Sequence, residues 1–117
     1  MINTGVVVIG VSAGGFKALH TVLEPLPKDF SMPITVVQHQ HRKADDYLVR
    51  SLNSKCLVEV KYPENGEIPK PGVAYVAPPD RHLRFADGPC FMLSDDERHN
   101  YSRPSIDLLF LSAAAVY

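Results

Sequence analysis

Between Gly5 and Gly10 the chain is an apolar, β-branched run, and from Gly14 to about Leu23 the apolar positions Phe16, Leu19 and Leu23 recur at helical spacing. The first pattern suits a parallel strand covered on both faces, the second an amphipathic helix, and the glycines between them a tight turn. Pro25 and Pro27 end the helix. PITVVQ, Pro33 to Gln38, is a second buried strand, and DDYLVRSLNS offers a helix with Asp45 as N-cap and Leu48 and Leu52 turned inward. LVEVKY, from Leu57, is a third strand. The alternation of strand and helix predicts an α/β fold, Rossmann-like in its three layers: a doubly wound, mostly parallel sheet in which consecutive strands lie near one another.

After Tyr62 the texture changes to short strands among prolines and glycines, at Val73 to Ala77, His82 to Phe85 and Cys90 to Leu93. The last two predict an antiparallel hairpin turning on Asp87-Gly88. RPSIDLLFLSAAAVY then opens a final helix, with Pro104 near its start and Ile106, Leu109, Phe110, Ala113, Ala114 and Tyr117 on one stripe. No glycine cap or further strand follows it, so residues 1–117 read as a single domain that is incomplete at its C-terminus. An incomplete sheet predicts an unpaired edge and self-association through it.

Charge narrows the partners. Twelve basic residues against thirteen acidic ones, a net charge of -1, give no electrostatic reason to expect nucleic acid or an anionic membrane surface. No apolar run approaches the roughly 18 residues of a membrane span, so no membrane insertion is expected. Cys56 and Cys90 form no C-x-x-C pair, and nothing resembles a signal peptide; the expectation is a cytoplasmic protein whose reduced thiols act as small buried hydrophobes.

The stretch Gly10-Val11-Ser12-Ala13-Gly14-Gly15 fits two incompatible templates. A dinucleotide fingerprint wants glycine where Ser12 stands, so that backbone can approach a pyrophosphate, and an acidic residue about 20 positions later; the second strand ends instead in Gln38-His39. Both departures favour a nucleophile. A serine on a sharp strand-to-helix turn projects its hydroxyl at the carboxyl edge of the sheet, and the N–H groups of Ala13, Gly14 and Gly15 at a helix start suit an oxyanion. His39, ending the neighbouring strand, is the candidate base. Two plainer readings stand beside this one: Ser12 as a phosphate ligand at the helix N-terminus, and His39 as a core histidine. His39 and His41 are spaced as two ligands on a strand, but two without a third do not make a metal site, and no metal or organic cofactor is called for.

VVVIGVSAGG, VVQHQH, PGVAYVAPPDRHL and RPSIDLLFLSAA, in this order and at these separations, closely resemble the catalytic domain of the CheB-type chemotaxis-receptor methylesterases, the protein-glutamate methylesterases. The resemblance covers nearly the whole chain. It implies Ser12 as nucleophile, His39 as base, hydrolysis of glutamyl methyl esters or glutamine amides, and the helical cytoplasmic region of a chemotaxis receptor as partner. It also implies a mostly parallel α/β sheet with an antiparallel hairpin. The family commonly has threonine after the serine, where this chain has Ala13. By the same resemblance, a phospho-receiver domain common in the family is missing here, and the catalytic aspartate belongs on a glycine-rich loop after a further strand that this chain does not reach. Asp45, Asp80 and Asp107 are not convincing substitutes. Arg81, Arg84, Arg98 and Arg103 gather in the second half, either to meet an acidic receptor surface or as ordinary solvated charges.

Overall fold

The computed structural model describes residues 5–12, 15–41, 43–95 and 103–117. Its elements run β1 (Val7–Val11), α1 (Phe16–Leu23), β2 (Ile34–Gln38), α2 (Tyr47–Lys55), β3 (Glu59–Lys61), β4 (Val73–Val76), β5 (His82–Ala86), β6 (Cys90–Ser94) and α3 (Ile106–Val116). The first four strands form a parallel sheet in the order β1-β2-β4-β3; β5 and β6 form a separate antiparallel pair. Consecutive strands are therefore neighbours at β1 and β2 but not at β2 and β3, between which β4 is inserted. The short β3, carrying Glu59 and Lys61 on either side of buried Val60, has the charged character of an edge strand.

Strand alternation divides the core between two faces of the sheet. Ile34, Val36, Val60, Ala74 and Val76 pack with Leu19 and Leu23 of α1 and Leu48 and Leu52 of α2. Val37, Tyr75 and Ala77 pack on the other face with Leu83, Phe85 and Phe91 of the hairpin and Leu109 and Ala113 of α3. All five residues of β2 are buried, as a central strand covered on both faces requires. The three-layer fold anticipated from the sequence is present: α1 and α2, then sheet, then hairpin with α3.

Several local expectations change. Asp45 does serve the start of α2, its Oδ1 accepting from the Tyr47 N–H at 3.0 Å, although the helix begins after Asp46. The hairpin loop has three residues, Asp87, Gly88 and Pro89, between the paired Ala86 and Cys90. On α3, Leu109 and Ala113 are buried, but Phe110 is 44% exposed and Ala114 faces outward. Ser112 takes the inner position instead: its Oγ accepts from the Phe85 N–H at 2.9 Å and donates to the Leu109 carbonyl at 2.9 Å, tying the helix to β5. Ser105 caps α3, accepting from the Leu108 N–H. Cys56 and Cys90 are half-buried, not core residues. Burial, helped by Glu24, raises the Cys56 thiol above its ordinary range and so keeps it protonated.

Candidate functional site

The site is set by strand register. Val11 pairs with Gln38, and the ladder continues one step as the His39 N–H donates to the Val11 carbonyl at 3.0 Å. Ser12 and His39 therefore follow paired residues at the carboxyl ends of adjacent parallel strands, despite 26 residues between the two in sequence, where neighbouring strands lie about 4.8 Å apart. The Gly15 N–H donates to the Ser12 carbonyl at 3.2 Å.

Glycine is required here for space. A Cβ on Gly15 would stand 1.7 Å from Val11 Cγ1, and Gly15 has φ -82°, which any residue adopts. A Cβ on Gly10 would stand 2.5 Å from Ile106 Cγ2, so Gly10 lets α3 close onto the end of β1. The Gly15 N–H, one of the three donors expected for an oxyanion, is taken by the Ser12 carbonyl; the other two, on Ala13 and Gly14, lie outside the described residues.

Gln38, which the sequence reading treated only as the place of a missing carboxylate, joins the two strand ends. Its Nε2 donates to the Ser12 carbonyl at 3.1 Å and to the His39 carbonyl at 3.3 Å. Three buried polar atoms then stand without a hydrogen-bond partner among the described residues: Gln38 Oε1, His39 Nε2 and Gln40 Nε2. All three residues line one cleft of about 330 Å³, with Phe16, Tyr47 and Leu48. A buried polar group without a partner costs about 1–3 kcal/mol, and three in a row on one strand end mark a place where a polar ligand or water completes the bonding. Gln40 had no signal in the sequence beyond its position between two histidines.

Of the candidate acids, Asp45 lines the same cleft as His39, whereas Asp80 and Asp107 do not. Asp80 pairs with Arg103 through two contacts of 3.0 Å, Asp45 bonds the start of α2, and Asp107 is exposed in the first turn of α3. No carboxylate among the described residues hydrogen-bonds the His39 ring. Arg81 pairs with Asp95, as Arg103 does with Asp80; Arg98 lies outside the described residues. His41 Nδ1 accepts from the Lys43 N–H, and the described residues contain no group of three metal-ligating side chains. No helix among them is long and apolar enough to cross a membrane.

The family model for the CheB methylesterase matches residues 7–117. The chain belongs to the CheB methylesterase family. A Leptospira interrogans relative (strain Fiocruz L1-130) is 45% identical over 115 residues, which are 98% of this chain and 60% of that protein. The Halalkalibacterium halodurans protein-glutamate methylesterase/protein-glutamine glutaminase is 45% identical over 114 residues, 95% of this chain and 33% of that one. The crystal structure of the Thermotoga maritima CheB methylesterase catalytic domain superposes with a TM-score of 0.92 at 38% identity, covering 99% of this chain and 63% of that chain. The chain thus spans about three-fifths of that catalytic domain.

Proposed function

We propose that this CheB-family chain carries the nucleophile and the base of a protein-glutamate methylesterase and glutaminase acting on the cytoplasmic helices of chemotaxis receptors. The observation that carries this reading is the paired register of Val11 and Gln38, which sets Ser12 and His39 side by side at one sheet edge. Ser12 Oγ attacks the carbonyl carbon of a glutamyl methyl ester while its proton passes to His39. The tetrahedral oxyanion meets the N–H groups that follow Ser12, where the start of α1 adds favourable dipole. Collapse expels methanol with the proton returned by His39, and water activated by the same imidazole releases the glutamate. A glutamine amide follows the same path with ammonia leaving. Gln38 is a positioning residue, fixing the carbonyls of Ser12 and His39 relative to each other. The carboxylate that would orient His39 belongs, by this reading, to the part of the catalytic domain that this chain does not span.

Ser12 reactivity tests the pair on the chain itself. A fluorophosphonate should place one adduct on the tryptic peptide containing Ser12, and His39→Ala should slow that labelling at least tenfold. Equal labelling of the two proteins would remove His39 from the mechanism.

A further inference from the structure

A second serine stands beside a histidine and a carboxylate, away from the end of β1. Between α1 and α2, Ser51 Oγ lies 3.2 Å from His20 Nε2, and His20 Nδ1 lies 2.7 Å from Glu24 Oε2. An ionised carboxylate only accepts, so with a neutral ring Nδ1 holds the proton and donates to Glu24; Nε2 then accepts the Ser51 hydroxyl proton. This is the bond order of nucleophile, base and orienting acid in serine hydrolases. The imidazole is held in place, its side chain 12% exposed and Phe16 packed 4.8 Å away.

A histidine and glutamate one helical turn apart would ordinarily be a surface pair contributing a few tenths of a kcal/mol. Their surroundings go further than that. Ser51, His20 and Glu24 together line a cleft of about 540 Å³ with Lys17, Thr21 and Lys55. Phe16 and Tyr47, stacked at 5.9 Å, line this cleft and also the one holding His39, so a shared aromatic wall stands between the two.

We propose that Ser51, His20 and Glu24 form a second acyl-transfer centre, which takes small carboxylic esters with an anionic acyl group. Ser51 Oγ attacks the ester carbonyl carbon as its proton moves to His20 Nε2, and the carbonyl electron pair moves onto oxygen. Collapse breaks the ester C–O bond, and the alkoxide leaves as alcohol with the proton from Nε2. Water, losing a proton to His20 Nε2, then attacks the acyl-Ser51 carbonyl; the bond from that carbon to Ser51 Oγ breaks, Oγ takes the proton back from Nε2, and the carboxylic acid leaves. Glu24 stays ionised and keeps Nδ1–H in place throughout. Within α2 the backbone N–H groups are committed to the helix, so positive charge for the oxyanion and for the acyl carboxylate comes from Lys17 and Lys55.

The test uses the Ser12→Ala protein, so that the two serines are read separately. Treatment with a fluorophosphonate should give an adduct on the tryptic peptide of residues 51–55, with fragmentation placing it on Ser51 and not Ser54. The same protein should release 4-nitrophenolate from 4-nitrophenyl hemisuccinate; Ser51→Ala should abolish this, His20→Gln lower it at least tenfold, and Glu24→Gln lower it severalfold, with unchanged circular dichroism. Absence of the Ser51 adduct from a folded protein, or release indifferent to Ser51→Ala, would overturn the proposal. Should Ser51→Ala fail to fold, His20→Gln decides in its place: unchanged release rejects the centre. Failure at Ser51 leaves the labelling of Ser12 in the unmutated chain untouched, so the two sites stand or fall apart.

Discussion

Gly10 and Gln38 show how single residues at the sheet edge act through neighbours distant in sequence. We expect Gly10→Ala to cost about 1–3 kcal/mol, because its methyl would overlap Ile106 Cγ2 and α3 would have to shift. The same change in an Ile106→Ala background should cost much less, and urea denaturation of the four proteins of that cycle measures the difference. Gln38→Met keeps length and burial but removes the two bonds to the Ser12 and His39 carbonyls. It should leave the fold intact and slow Ser12 phosphonylation roughly tenfold, as a small misplacement of paired groups does. Ser12 and His39 can be nominated from the sequence because a serine between glycines after a strand, and a histidine ending the next strand, are chemical signals in themselves. Gln38 and Gln40 were not, since an amide that bridges two carbonyls has meaning only once the register is known.

At the scale of elements, α3 separates pattern from packing. Its apolar residues continue around the whole helix, so periodicity could not choose between Phe110 and Ser112 for the inner side; the unpaired Phe85 N–H on β5 chose Ser112. Leu109→Ala should therefore cost about 2–5 kcal/mol, whereas Phe110→Ala should change stability by no more than about 0.5 kcal/mol, both read from denaturant midpoints. Strand order was also out of reach, because nothing in the composition of β3 says that β4 will come between it and β2. The edge strand carries an ion pair with a pH signature: Lys61 Nζ lies 2.7 Å from Glu67 Oε2, and the Glu64 N–H donates to the other oxygen. Burial alone would raise the Glu67 carboxyl, but these two bonds outweigh it and hold the group below its ordinary range, while the bond to Glu67 raises Lys61. Stability from Glu67 is then present above the unfolded value of about 4.3 and lost as pH falls through the lower folded value; that from Lys61 is lost as pH rises past its raised value, above about 10.4. Glu67→Gln should cost at most about 1 kcal/mol at pH 7, the pair being part-exposed, and progressively less as pH falls through the lowered value of the carboxyl.

For the molecule as a whole, the sequence disclosed two covered faces and a strand edge bearing chemistry, but not what lies against α3. Phe110 and Leu111 are 44% and 65% exposed there. We expect these residues to promote self-association, and Leu111→Lys to shift the sedimentation profile toward monomer. The chain also covers only 63% of the Thermotoga maritima catalytic domain, and no described carboxylate hydrogen-bonds the His39 ring. Loss of the orienting acid lowers turnover about 10⁴-fold in serine proteases, so the 117-residue chain alone should hydrolyse receptor esters very slowly. The decisive measurement is methanol release from methylated receptor by this chain and by a chimera that continues after Tyr117 with the remaining part of the Thermotoga maritima domain. The chimera should be faster by about three to four orders of magnitude, and Ser12→Ala within it should return the rate to background. A Ser12→Ala chimera that releases methanol within tenfold of its parent would contradict the assignment of Ser12 as the nucleophile.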